Sequence, residues 1–85
     1  MSVQAGETQY CHPRENGAER YTEVEIGFPN RSEELILEFA EDSNNPTETV
    51  YPYVPAPVVT LVIAKHGGMV EGELPAGIPY LRAEQ

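Results

Sequence analysis

Few side chains in this sequence have the type and spacing to do chemistry, and each lacks a partner. Cys11-His12 sets a thiol beside an imidazole, the pairing that activates a nucleophilic cysteine. Adjacent residues on an extended chain project in opposite directions, so the pair reads as an incidental exposed thiol. Glu23 with Glu25, and Glu71 with Glu73, place two carboxylates at strand spacing, as acid–base catalysis would require. An exposed glutamate titrates near its reference value, and the expectation for both pairs is a solvated face. His66-Gly67-Gly68 lacks the glycine spacing of a phosphate cradle and would end a helix rather than begin one. A structural zinc site wants four spaced Cys or His ligands, and the chain offers Cys11, His12 and His66. No loop has the aspartate-rich pattern of a calcium site. The expectation is therefore no catalytic residue, no metal and no cofactor.

Recognition is better provided for. The chain carries 14 acidic residues against five basic ones in 85 residues, a formal charge of -9. Such a field repels phosphate backbones and anionic lipid and attracts basic partners. Five scattered cations cannot line a phosphate-tracking stripe, which argues against direct nucleic-acid binding. Tyr51-Pro52-Tyr53-Val54-Pro55-Ala56-Pro57 contains a PxxP spacing, which extended ligands use to dock on aromatic grooves. The same run also reads as strand aromatics followed by a rigid link. Asn30-Arg31-Ser32 matches a glycosylation acceptor and is read as turn chemistry.

These residues need elements to position them. Residues 1–18 are polar and Gly-rich with no sustained period, and they read as a flexible N-terminal arm, leaving 19–85 as a single small domain. From Tyr21 to Phe28 the chain alternates, with Val24 and Ile26 on one side and Glu23 and Glu25 on the other, as in a half-buried strand. Glu34–Glu41 has Leu35, Leu37 and Phe39 in alternation, which favours a second strand in a simple hairpin, while Ile36 and Ala40 would suit a helix stripe. Thr49–Tyr51 reads as a short third strand stopped by Pro52 and Pro55, and Val70–Leu74 offers a short fourth one. Val58–Ala64 is β-branched, which favours a strand. Its flanks favour a helix: prolines sit at the start, and Lys65-His66 before Gly67-Gly68 at the end. The local evidence balances. No hydrophobic run approaches the ~20 residues of a membrane span. With one cysteine no internal disulfide can form, and the first residues lack a basic stretch followed by an apolar one. The expectation is a cytoplasmic protein that does not enter the membrane.

The run LILEF (35–39), then VYPYVP (50–55), then an apolar segment ending in KHGG (65–68), resembles the KTSC domain, a small family named for its occurrence beside lysyl-tRNA synthetases. The likeness extends over about residues 30–75. It departs at Lys65-His66-Gly67, where the family has serine, lysine and glycine. The resemblance implies a helix over about Pro57–His66 packed on an antiparallel meander. The fold expected is thus α+β, with three to four strands and one helix; the alternative is all-β. The function expected is a small acidic interaction module without catalysis that binds a basic protein partner. Glu23, Glu25, Tyr51 and Tyr53 are its candidate contacts. The alternatives are an accessory subunit of a larger enzyme, or a nucleic-acid mimic of the kind used by phages and mobile elements.

Overall fold

Alternation in Glu23-Val24-Glu25-Ile26-Gly27 sets the central strand. Val24 and Ile26 have no exposed surface, while the two glutamates are half-buried on the other face. In the computed structural model, which describes residues 2–68 and 74–80, three strands and one helix follow in order. These are β1 (Ser2–Gln4), β2 (Glu23–Gly27), β3 (Val50–Pro55) and α1 (Ala56–Lys65). The strands form one antiparallel sheet in the order β1-β2-β3, a meander. The protein is a small α+β fold.

The helix forms although five of the seven residues of Val58–Ala64 are β-branched. Pro55 occupies the N-cap and Pro57 the first turn, where a missing N–H is harmless. At the other end the Gly67 N–H donates to the Ala64 carbonyl and the Gly68 N–H to the Ile63 carbonyl, with Gly67 at φ +88°. That pair of bonds is a Schellman closure, which needs a residue free to enter the left-handed region. Burial of Ala56, Val59, Val62 and Ile63 against the sheet supplies the remaining stabilisation, overriding a weak propensity.

Two expectations about organisation are corrected. Residues 2–18 are not a free arm: β1 pairs with β2, and Cys11 and Ala18 lie in the core. A sheet of two short strands leaves the N–H and C=O groups on one edge of β2 unpaired, and this segment satisfies them by main-chain pairing, as in the bridge between His12 and Glu23. Residues 34–41 are not a strand. They form turns and a short 3-10 segment, Leu37–Phe39, with Ile36 as the fully buried anchor and Leu35 exposed. The chain therefore makes a long excursion over residues 28–49 instead of a tight hairpin. The strand expected around Val70–Leu74 falls almost wholly outside the described residues.

β3 also runs on through Pro52 to Pro55 instead of stopping at Tyr51. It is an edge strand of the described sheet, where a proline without a donor is tolerated. The C-terminal part returns across the core. Ile78 is buried, and the Tyr21 N–H donates to the Ala76 carbonyl at 2.7 Å. Gly77 sits at φ +95° with Arg20 so close that an added Cβ would lie 3.0 Å from the Arg20 Cα.

Tyr51 is the largest fully buried side chain, and its hydroxyl donates to the Pro46 carbonyl. Tyr51→Ala is expected to destabilise the protein by about 3–5 kcal/mol in denaturant unfolding. A change below 1 kcal/mol would show that the ring is not a core element.

Candidate functional site

The register of β2 on β3 decides which side chains reach the surface. Val24 pairs with Val54 and Ile26 with Tyr51, so Glu25 faces two residues, Pro52 and Tyr53. This is a β-bulge, and Tyr53 occupies it at φ +52°. An aromatic residue in the left-handed region is strained by about 1–2 kcal/mol, because its Cβ crowds the backbone. The bulge separates the two tyrosines that strict alternation would place together. Tyr51 points into the core, and Tyr53 turns outward with 43% of its surface exposed.

The Tyr53 N–H leaves the ladder and donates to the Tyr10 carbonyl at 3.0 Å. Tyr10 is 41% exposed, and its ring centroid lies 6.0 Å from that of Tyr53 with the planes tilted by 49°. A tilted pair at this spacing is a favourable quadrupole arrangement. The Tyr10 N–H in turn donates to Glu25 Oε2 at 3.1 Å. Over the Tyr10 ring lies the Arg14 guanidinium, 5.1 Å from the centroid, a cation–π contact. Among the described residues Arg14 makes no salt bridge.

Of the four candidate contacts, the structure brings Glu25 and Tyr53 together. Glu23, at the start of β2, is half-buried on the same outward side as Glu25; its carbonyl accepts from the His12 N–H at 3.0 Å. Tyr51 is removed from the surface set, because the bulge sends it inward. The PxxP run is likewise taken up by β3 and the start of α1, so it is not a free extended ligand. Tyr10 and Arg14 were hidden from sequence reasoning, since their segment carries no period that would order it.

Cys11 and His12 diverge as adjacent residues on an extended chain must. The expectation of an exposed thiol is corrected: Cys11 is 2% exposed, its Sγ held between the Gly6 N–H and the Gly6 carbonyl, while His12 is exposed. Among the described residues, no three or more His, Cys, Asp or Glu side chains gather as a metal site would require.

A second polar cluster lies at the end of α1. Glu33 is 5% exposed; its Oε2 accepts from Lys65 Nζ at 2.9 Å and from the Leu35 N–H at 3.1 Å, and its Oε1 meets His66 Nε2 at 2.8 Å. Two groups able to carry positive charge thus sit where the helix dipole is negative and clamp the preceding loop through one carboxylate. Burial pushes the Glu33 carboxyl up, but hydrogen bonds from Lys65, Leu35 and His66 outweigh it and hold the group down at about 2. Lys65 is raised above its ordinary value, first by its hydrogen bond to Glu33. An open cleft of about 620 Å³ adjoins this cluster, with Val62 and Ile63 among its walls and Arg31, Ser32 and His66 among its polar groups. Glu33 had a sequence signal: Lys65-His66 at a helix end calls for a counter-charge, though nothing along the chain says which of 13 glutamates supplies it.

No family model, curated protein or solved structure matches this chain. The site therefore has to be read from its own geometry. No helix among the described residues is long and apolar enough to cross a membrane.

The Glu33 cluster carries a pH dependence with a defined sign. Its folded-state value lies below the unfolded one, so the stabilisation is complete above about pH 4.5 and is lost as the pH falls toward about 2. Glu33→Gln is expected to be less stable than the wild type at pH 7 by about 2–3 kcal/mol. The gap should close on acidification through that window, followed by urea unfolding at each pH. A gap that stays constant from pH 7 to 2.5 would mean that the carboxylate charge is not what the clamp uses.

Proposed function

We propose that this protein is a small acidic interaction module, without catalysis of its own, that binds a basic protein partner through the outer face of β2 and β3. The observation that carries the reading is the exposed Tyr53, held in a strained backbone conformation opposite Glu25 in the ladder. Strain of this kind is retained where the side chain is needed in one place. A charge of -9 supports the reading from a different direction. It speeds encounter with a basic surface and disfavours nucleic acid and anionic membrane. Glu23 adds a second carboxylate on the same side of β2.

The reading includes a cytoplasmic setting, supported by a lone cysteine that cannot form an internal disulfide. The KTSC-like resemblance is kept as part of the proposal. In its favour stand the Tyr-x-Tyr strand and the glycine-closed helix that follows it. Against it, LILEF forms turns and a 3-10 segment instead of the family's strand.

Affinity capture from native host lysate at low and at high salt tests the function, with the doubly charge-reversed Glu23→Lys/Glu25→Lys protein alongside. A basic protein held at low salt, released at high salt and lost by the variant is the expected result. Capture of no basic protein at either salt, or equal capture by the variant, would overturn it.

A further inference from the structure

The outer face of β2–β3 already holds one cation of the chain itself. Arg14 lies over Tyr10 and makes no salt bridge among the described residues, although acids outnumber bases almost three to one in the sequence. Against the Tyr10 ring stands the exposed ring of Tyr53, and the Tyr10 N–H fixes Oε2 of Glu25, a carboxylate that Arg14 does not pair with. A π-face and an oriented carboxylate at one spot match the two features that distinguish a guanidinium from an ammonium: a flat stacking surface and a fork of donors.

The backbone gives an independent indication. Glycine or asparagine would occupy the bulge at φ +52° with little strain, yet the position holds a tyrosine whose ring stays 43% exposed. The strain is retained with the ring outside the core and packed on Tyr10, which fits a side chain that makes an outward contact.

The geometry points to an arginine-specific seat formed by Tyr10, Tyr53 and Glu25, in which Arg14 is the internal occupant that an arginine of the partner replaces. This rests on the interaction-module reading and sharpens it: the partner presents arginine, not merely positive charge. Arg14 keeps the seat filled when no partner is present, so binding exchanges one guanidinium for another. Arg14 thereby sets a threshold that only an arginine held in place by neighbouring contacts overcomes.

The test uses the full chain with two peptides of equal length and charge, one of Arg-Gly repeats and one of Lys-Gly repeats, followed by calorimetry and by amide shifts of Tyr10, Glu25 and Tyr53. The arginine peptide is expected to bind about 5-fold or more tightly than the lysine peptide. Tyr53→Asn, chosen because asparagine tolerates the left-handed region, should abolish that preference while melting at or above the wild-type temperature. Arg14→Ala should tighten arginine-peptide binding several-fold. Equal affinity for the two peptides, or a preference that survives in Tyr53→Asn, would overturn the seat. If both peptides bind equally with a steep salt dependence, the seat fails and the acidic-module reading stands. If neither binds, both fall. Weaker binding by Arg14→Ala would overturn the role of Arg14 as internal occupant.

Discussion

Because Glu25 of β2 faces both Pro52 and Tyr53 of β3, the inward residues of the edge strand fall three apart, at Tyr51 and Val54, instead of two. That offset lets β3 fill the core with Tyr51 and Val54 and still present an aromatic ring outward between them. It also frees the Tyr53 N–H from the ladder to hold the Tyr10 carbonyl, which ties the N-terminal segment across the sheet. Without the extra residue Tyr53 would share a face with Tyr51, and Tyr10 would lose both its main-chain partner and its ring contact. The bulge is thus the constraint from which core, surface and N-terminal docking all follow.

At the opposite end of α1 a different kind of constraint acts. Glu33 is buried, and only its bonds to Lys65, His66 and the Leu35 N–H make burial of a carboxylate tolerable. One of its consequences is local: the Ile36 N–H closes onto the Glu33 carbonyl, and the chain turns where its alternating leucines would otherwise extend. The other is long-range, since the clamp fixes the loop after β2 to the end of the helix. Hydrophobic pattern alone cannot see such a contact, because the partners lie more than thirty residues apart.

This difference explains what could be read from the residues. β2 is legible because Val24 and Ile26 alternate with glutamates, although that acidic face is half-buried under Tyr10, and α1 only in part, because its prolines and glycines compete with a β-branched run. Residues 34–41 mislead because Leu35, Leu37 and Phe39 mimic a strand, whereas the chain turns at the buried carboxylate of Glu33. Residues 2–18 were misread because main-chain pairing, not side-chain period, orders them. Of the candidate contacts, Glu25 and Tyr53 meet on the surface, whereas Tyr51 shows that one backbone irregularity reverses the direction of a side chain. Tyr10 and Arg14 entered only through the tertiary structure.

The hydrogen bond from Tyr21 to Ala76, with Ile78 buried nearby, joins parts of the chain that are made early and late. The pairing of β1 with β2 likewise closes a long loop before it gains any contact. A chain cut before Ala76 would hold Tyr21 and Thr60 without their partners at Ala76 and Pro79. The central strand, the helix and the segment around Ile78 are thus held by contacts between distant parts of the chain, the kind of topology that folds slowly and as a unit.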